Sequence, residues 1–222
     1  SCDQLLSTGL AQFGVDINRN YGGFWGGPGA SAPDSLPLGA LAQDYRGPGP
    51  FSEPESQAIR RLVSSRQVVT LITNHTYSNL VLRPPGLEQQ GPARDERLLK
   101  RLGDAMAAEN GYVSQRAYEL YDTTGTTEDW SYYATGGLGY TFEIGPANFH
   151  PPFAEGVVAE YLGLTGAAGP GGGNRAAKAL RSTAKRRHHA VIAGRAPRGS
   201  LLRLRKSFLT ATSPVLDGAG DE

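Results

Sequence analysis

Hydrophobic and polar residues along the middle of the chain follow patterns typical of strands and helices. Three short apolar runs, rich in β-branched or aromatic residues, predict buried strands. They are "QVVTLITNH" (67–75), "SNLVLRPP" (78–85) and "LGYTFEIG" (138–145). Three segments with apolar residues three or four positions apart predict helices. They are "FSEPESQAIRRLVSSR" (51–66), "ARDERLLKRLGDAMAAENG" (93–111) and "PFAEGVVAEYLGL" (152–164). This order predicts an α/β fold with a mixed, mostly parallel sheet flanked by helices.

Capping signals mark one end of each of two of these helices. Ser52 and Glu55 match a capping box, and Pro54 suits the first helical turn, where its missing N–H removes no hydrogen bond. Gly111 is the predicted C-terminal cap of the second helix. The buried face of that helix is predicted to hold Leu98, Leu102, Ala105 and Met106.

The composition changes near Gly166, which predicts a domain boundary. Residues 1–166 form the predicted α/β domain, 167–187 a flexible Gly-rich and basic linker, and 188–222 a truncated β-rich accessory segment with two short strands. Residues 1–174 contain 11 Lys and Arg against 18 Asp and Glu, whereas residues 175–222 contain 11 against 3. The basic stretch could bind nucleic acid. Because it has no interleaved aromatic residues, we interpret it as a solvated linker and expect no nucleic-acid partner.

Length and composition favour a soluble globular protein. The chain has 222 residues, 39% of them hydrophobic. No apolar run reaches the roughly 18 to 20 residues that span a bilayer, so we expect no membrane contact. The chain begins with Ser1 and its one methionine is Met106, so we expect residues upstream of this sequence. Cys2 is the single cysteine, which excludes an internal disulfide.

Three polar features could carry chemistry. "GVDINRNYGG" places Arg19 between two asparagines, which suits either a polar turn or a grip on a carboxylate. Glu143 follows aromatic and aliphatic residues in a predicted strand. It either lies in a pocket, where burial would raise its pKa, or points from an edge strand into water. His75, at a strand end, is either a hydrogen-bonded structural residue or a metal ligand. No HExxH, CxxC, GxxxxGK[ST] or GxSxG motif is present.

Five stretches taken together are more specific than any one of them. In chain order they are "GVDINRNY", "YRGPGPFSEPE", "TNHTYSNLVLRPPG", "YDTTGTTEDWSY" and "GYTFEIG". This series resembles the zinc carboxypeptidases of the carboxypeptidase A type over about residues 13–163, and is most similar to their bacterial members. The resemblance implies that the protein hydrolyses the C-terminal peptide bond of peptides or proteins with one zinc ion.

The resemblance also implies roles for individual residues. His75 corresponds to a zinc ligand, and Glu143 to the general base that activates a zinc-bound water. The pair Asn18 and Arg19 corresponds to the residues that bind the terminal carboxylate of the substrate. Three further substrate contacts are implied: Tyr77 in the subsites, Tyr121 closing over the substrate, and Glu128 at the floor of the pocket for the C-terminal side chain. An acid at that floor would favour lysine or arginine.

The sequence departs from the family pattern in one respect. The family's other two zinc ligands come from an H-x-x-E motif, and an arginine that polarises the carbonyl precedes the "NRN" segment; neither is found here. We therefore expect residues 1–166 to be the C-terminal part of a zinc carboxypeptidase domain, with two ligands upstream of Ser1, weak zinc binding and no peptidase activity in this fragment. From the family resemblance we expect a secreted monomer whose partner is a peptide or protein with a free C-terminus.

Two other functions remain open on the sequence alone. One is a relative that cleaves cell-wall peptides, whose substrates also end in a free carboxylate. The other is a non-catalytic module that binds peptide C-termini without zinc. A general base at Glu143 argues against the binding module, which has no use for one.

Overall fold

The computed structural model describes residues 14–32, 42–164, 191, 193–203 and 205. The strands in these residues form one four-stranded sheet in the order β1-β4-β2-β3. The strands are β1 (Thr70–His75), β2 (Leu80–Arg83), β3 (Val113–Arg116) and β4 (Leu138–Glu143). The helices are α1 (Pro54–Ser65), α2 (Glu96–Asn110), α3 (Thr127–Trp130) and α4 (Ala159–Leu162). A π-helical turn at Ser131–Thr135 extends α3, and another at Phe153–Val158 precedes α4. Three 3-10 turns lie at Ile17–Arg19, Glu88–Gln90 and Ala117–Glu119.

The predicted mixed, mostly parallel sheet is confirmed. β1 is parallel to β4 and β2 is parallel to β3, while β2 and β4 are antiparallel. β4 lies between β1 and β2, so all six of its residues are buried. Successive side chains of a strand point to opposite faces of the sheet. The two faces of β4 therefore meet different surroundings.

One face of the sheet packs against α2. Tyr140 and Phe142 of β4 lie in the main apolar core together with Leu99, Leu102 and Met106 of the helix. Leu102 and Met106 were predicted on this face, but Ala105 is exposed and Leu98 only partly buried. The buried stripe is centred about one residue further round the helix, because Leu99, Gly103 and Ala107 complete it. Gly111 caps the helix as predicted, with φ 75° and its N–H donating to the Ala107 carbonyl.

The predicted capping box at the start of α1 is wrong. The N-cap is Glu53, which makes no side-chain capping bond, and Pro54 occupies the first turn as predicted. The hydroxyl of Ser52 instead accepts a hydrogen bond from Asn20 Nδ2 and donates to Glu53 Oε1. Ser52 therefore pairs with Asn20, from a distant loop, and does not form the predicted local capping box with Glu55.

Asn20 joins the loops that precede α1. Its side chain is fully buried, and Nδ2 donates to the carbonyl oxygens of Arg46 and Gly49 at 2.9 and 3.1 Å. Its Oδ1 accepts from Glu53 N at 3.2 Å and from Ser56 Oγ at 2.6 Å. These bonds satisfy buried polar groups of a segment that has little regular secondary structure. They fix the chain around the neighbouring residue, Arg19.

Strand β3, α3 and the π-helical turn after α3 were not among the predicted elements. β3 is short and polar, with the sequence "VSQR", and it forms because Arg83 and the rest of β2 supply a parallel partner. α3 has the sequence "TEDW" and lies against β4 and β1. Neither segment has the length or periodicity that local patterns detect.

The region after residue 164 is described only in part. Residues 193–203 contain a turn at Arg198 and Gly199 but no strand, and Leu201 and Leu202 are 76% and 78% exposed. The two strands predicted there are therefore not found in the described residues. The linker and the remainder of the predicted segment lie outside them. Among the described helices, none has the length and apolarity to cross a bilayer.

Replacing Asn20 with alanine should lower the free energy of unfolding by about 2 to 4 kcal/mol, because several buried partners lose their hydrogen bonds together. Urea unfolding followed by circular dichroism measures the change. Asn74, an exposed asparagine in β1, provides the matched control, and Asn74→Ala should change stability by less than about 0.5 kcal/mol. Equal stabilities of the two variants would contradict the role given to Asn20.

Candidate functional site

The ends of β1 and β4 bring His75 and Glu143 together. The parallel register pairs these two residues directly, and His75 Nδ1 lies 3.9 Å from Glu143 Oε1. The other ring nitrogen, Nε2, is 2.6 Å from Thr73 Oγ1. When Nε2 carries the proton and donates to Thr73, the lone pair of Nδ1 faces Glu143 and the adjacent cavity.

Burial shifts the pKa values of both residues. The pKa of Glu143 is raised to about 7, mainly by burial and further by the negative charge of Glu128, while Arg19 opposes the shift. Burial lowers the pKa of His75, which favours the neutral imidazole. Glu143 is 7% exposed at the end of an interior strand, so it is not an edge residue pointing into water. A carboxyl group with this pKa can exchange protons near neutral pH.

The "VDINRN" segment forms a 3-10 turn beside these strand ends. Asp16 caps the turn by accepting a hydrogen bond from Asn18 N at 2.8 Å. Arg19 is 8% exposed, and its Nε donates to the Gly29 carbonyl at 2.6 Å. Its Nη1 donates to the Asn18 carbonyl at 3.0 Å and lies 3.8 Å from Asp16. The guanidinium is therefore held on one side, and its Nη2 has no protein acceptor among the hydrogen bonds of the described residues.

The loop that receives Arg19 Nε depends on a glycine. Gly29 has φ +72°, a conformation that side chains rarely adopt. A Cβ atom there would also overlap the backbone of Asp122 and Thr123. Glycine at this position therefore allows the loop to pass close to residues 122–123 and to present its carbonyl to Arg19.

Glu128 also lies near His75 and Glu143. It approaches them on the face of the sheet that does not pack against α2. It lies in α3, whose backbone packs directly on β4 at Gly139; a Cβ there would overlap the Glu128 backbone. Glu128 is 2% exposed, and its Oε2 has no hydrogen-bond partner among the described residues. The next residue, Asp129, is fully buried and accepts from Gly86 N at 2.9 Å. Burial and the Glu128 charge raise the pKa of Asp129 well above its usual range.

A cavity of about 490 Å³ joins these groups. It is lined by all seven residues singled out in the sequence: Asn18, Arg19, His75, Tyr77, Tyr121, Glu128 and Glu143. The Tyr77 ring makes an edge contact with Phe149, with centroids 5.1 Å apart. Tyr121 is 54% exposed at the cavity mouth. The fold therefore collects side chains from positions 18 to 143 around one space.

The described residues do not supply a complete metal site. His75 offers one imidazole donor, and a zinc site needs three or four protein ligands. Within the described ranges, no group of three or more His, Cys, Asp or Glu side chains could hold a metal ion. His75 fits the role of one ligand, because Thr73 can fix its tautomer, but it cannot bind zinc alone.

Thr141, Thr127 and Asp129 belong to this site or support it, but they were not singled out in the sequence. Thr141 lines the cavity, and its buried hydroxyl has no partner in the part of the chain that is described. It precedes Glu143 by two residues, so strand periodicity alone places both on one face. No comparable local signal identifies Thr127 or Asp129, because their roles depend on tertiary contacts: Thr127 donates to Asn18 Oδ1, and Asp129 accepts from Gly86 N after β2.

Comparison with known families agrees with this geometry. A family model described as zinc carboxypeptidase matches residues 4–157. Carboxypeptidase O from Bos taurus is 32% identical over 141 residues, covering 60% of this chain and 36% of that protein. A zinc carboxypeptidase from Saccharothrix mutabilis subsp. capreolus is 33% identical over 149 residues, covering 63% of this chain and 33% of that protein. The chain thus spans about a third of the length of these curated relatives.

Solved structures have the same fold. The carboxypeptidase A from Helicoverpa armigera has a TM-score of 0.53 and 25% identity, with 62% of this chain and 34% of that chain covered. Bovine thrombin-activatable fibrinolysis inhibitor, solved with a tick carboxypeptidase inhibitor, has a TM-score of 0.58 and 23% identity. That match covers 77% of this chain and 55% of the other, and it bears on the fold alone.

Proposed function

The chain belongs to the zinc carboxypeptidase family, and from this premise we propose that the protein hydrolyses the C-terminal peptide bond of peptides or proteins. The observation that carries the proposal is one cavity lined by a buried carboxyl, a strand-end histidine and an arginine whose Nη2 has no acceptor among the described residues. These are groups that can move a proton, bind a metal and hold a carboxylate.

The terminal carboxylate of the substrate binds to Arg19 and Asn18. Arg19 has donors left after its bonds to Gly29 and Asn18, and guanidinium binds a carboxylate through two parallel N–H donors. Asn18 uses its Oδ1 for protein contacts, which leaves Nδ2 as a donor to the ligand. This grip fixes the distance between the chain end and Glu143, so that only the last residue is removed.

Glu143 is the proton carrier. It accepts a proton from the water that attacks the scissile carbonyl and passes it to the leaving amine. A pKa raised to about 7 supports both transfers, because the carboxyl can hold the proton between them. A fixed position at the end of β4 supports the role, because proton transfer requires hydrogen-bond distance to the substrate.

Zinc is the cofactor of this family, and His75 is the described residue proposed to bind it. When bound, zinc polarises a carbonyl and lowers the pKa of a coordinated water. The remaining ligands are proposed to come from outside the described residues, because these contain no group of three or more side chains that could hold a metal ion. Since the chain spans about a third of the length of these curated relatives, activity is proposed for the protein in its natural form.

The side chain of the substrate's last residue is proposed to contact Glu128. The buried carboxyl with an unpartnered oxygen favours lysine or arginine, because an unpaired buried acceptor is costly and a cation would satisfy it. Tyr77 is proposed to line the subsites beside Phe149. Tyr121, half exposed at the mouth, is proposed to close over the substrate.

The remaining expectations also stay proposals. Residues 1–166 are proposed to be part of a carboxypeptidase domain, followed by a linker at 167–187 and an accessory segment at 188–222. The match of the family model to residues 4–157 supports the first division. A secreted monomer acting on peptides with free C-termini is the form that we propose for the protein.

Glu143→Gln should abolish hydrolysis while product-like carboxylates still bind. The amide keeps the shape of the side chain but cannot accept the proton, so kcat should fall at least about a hundredfold. Steady-state kinetics on a peptide ending in lysine and calorimetric titration with free lysine measure the two properties. Both measurements use the protein in its natural form with zinc supplied. Substantial turnover by the Glu143→Gln variant would rule out the assigned role, and so would a wild-type protein in that form that binds peptides without hydrolysing them.

Arg19→Ala should mainly weaken recognition of free C-termini. Loss of a desolvated ion pair should cost about 2 to 5 kcal/mol in kcat/KM. Peptides with a free carboxylate and the same peptides with an amidated C-terminus provide the comparison, and Arg19→Lys provides an intermediate variant that keeps the charge without the fork. If the wild type cleaves amidated peptides as well as free acids, the proposed carboxylate grip is wrong.

Glu128→Gln should reduce the preference for a C-terminal lysine over leucine by about tenfold or more, since it removes the charge that pairs with the cation. The ratio of kcat/KM values for two otherwise identical peptides measures it. Glu55→Gln removes an equal charge from the exposed surface of α1 and should leave the ratio unchanged. An unchanged ratio in Glu128→Gln would remove Glu128 from the side-chain pocket.

A further inference from the structure

We propose that Thr127 is a positioning residue that holds the Asn18 carboxamide with its NH₂ group toward the cavity. The inference rests on the proposed function, in which Asn18 helps to bind a terminal carboxylate. Thr127 itself does not touch the substrate in this proposal. It acts by deciding which end of the Asn18 side chain the substrate meets.

Two hydrogen bonds connect Thr127 to the same oxygen. Its backbone N–H donates to Asn18 Oδ1 at 3.0 Å, and its hydroxyl donates to the same atom, also at 3.0 Å. The two residues are 109 positions apart, so the contact joins the "NRN" turn to the start of α3. Among the hydrogen bonds of residues 14–32 and 42–164, none uses Asn18 Nδ2 as a donor.

This pairing determines the orientation of the carboxamide. An amide oxygen has two lone pairs, and here each can accept one bond from Thr127. If the side chain flipped, the NH₂ group would face a backbone N–H that can only donate, and the oxygen would face the ligand. A carboxylate bound by Arg19 would then meet an acceptor in place of a donor. The observed orientation therefore favours an anion in the cavity.

Burial makes the contribution of the hydroxyl difficult to replace. Thr127 is 9% exposed and Tyr21 beside it is 2% exposed. Burial raises the pKa of the Tyr21 hydroxyl, and the neighbouring Thr127 side chain opposes this shift. Asn18 also borders a second cavity of about 430 Å³, lined by apolar side chains and by polar ones that include Tyr21, Thr73 and His75. Among the hydrogen bonds of the described residues, Asn18 Oδ1 nevertheless accepts from Thr127 alone.

Thr127 also links the two ends of the proposed substrate pocket. It directly precedes Glu128 in α3, whose backbone packs on Gly139 of β4. The residue that orients the carboxylate grip and the residue at the pocket floor are therefore held by one short segment. Their relative position follows from the packing of that segment on the sheet.

The test compares the dissociation constants of L-lysine and L-lysinamide, measured by calorimetric titration of the full chain. The ratio reports the preference for a free carboxylate, and neither probe carries an acyl group whose amide bond could be hydrolysed. Thr127→Val removes the hydroxyl donor without changing charge, and should reduce the preference for the acid about fivefold. Thr127→Ser keeps the hydroxyl and should stay within about twofold of the wild type.

Thr126→Val is the matched control. Thr126 is the preceding residue, fully buried, and its hydroxyl has no hydrogen-bond partner in the described part of the chain. This variant should keep the wild-type ratio, and thermal unfolding by circular dichroism verifies that each variant is folded. If Thr127→Val unfolds, Thr127→Ala serves in its place and should show the same loss of preference.

Three results would overturn the inference, and they differ in whether they also overturn the proposed function. Full preference for the acid in folded Thr127→Val would overturn the positioning role and leave the proposed function intact. An equal loss in Thr126→Val and Thr127→Val would show a general packing effect in place of an oriented amide. A wild-type protein that binds acid and amide equally would overturn the proposed carboxylate grip, and this inference with it.

Discussion

The parallel pairing of β1 with β4 is the constraint on which the candidate site depends. Because both strands run in the same direction, their carboxyl ends meet at one edge of the sheet, with His75 directly opposite Glu143. β4 is also paired with β2, so Glu143 is enclosed on both sides. A shift of one residue in this register would move the Glu143 side chain to the other face of the sheet, toward α2. The sheet therefore fixes the position and the burial of the carboxyl together.

The two faces of β4 show how one strand serves both core and site. Tyr140 and Phe142 fill the apolar core under α2, whereas Gly139, Thr141 and Glu143 face the opposite side. Gly139 lets the backbone of α3 approach the sheet, which brings Glu128 near Thr141 and Glu143. The negative charge of Glu128 then contributes to the raised pKa of Glu143. Core packing and site electrostatics are thus coupled, because alternate side chains of β4 point into the core and into the site.

The three consecutive residues of the "NRN" segment make different contacts, and these differences could not be predicted from their positions in the sequence. Asn20 is fully buried, and its side chain hydrogen-bonds to five residues between positions 46 and 56. Arg19 is held by Gly29 and keeps donors for a ligand. Asn18 contacts Thr127, more than a hundred positions away in the chain. The local pattern left a polar turn and a carboxylate grip open, and the segment forms a 3-10 turn that places Asn18 and Arg19 in the lining of the cavity.

The sequence by itself determined the existence of three strands, the long helix with its Gly111 cap, and the α/β class, because apolar periodicity is a local property. Its motifs also singled out seven residues that all line one cavity. Only the tertiary structure decided that β4 is an interior strand, that Ser52 binds Asn20 in place of capping α1, and that α3 packs on Gly139. These outcomes depend on contacts between residues far apart in the chain, and local patterns contain no information about such partners. For the same reason the burial that raises the pKa of Glu143 is a property of the assembled sheet.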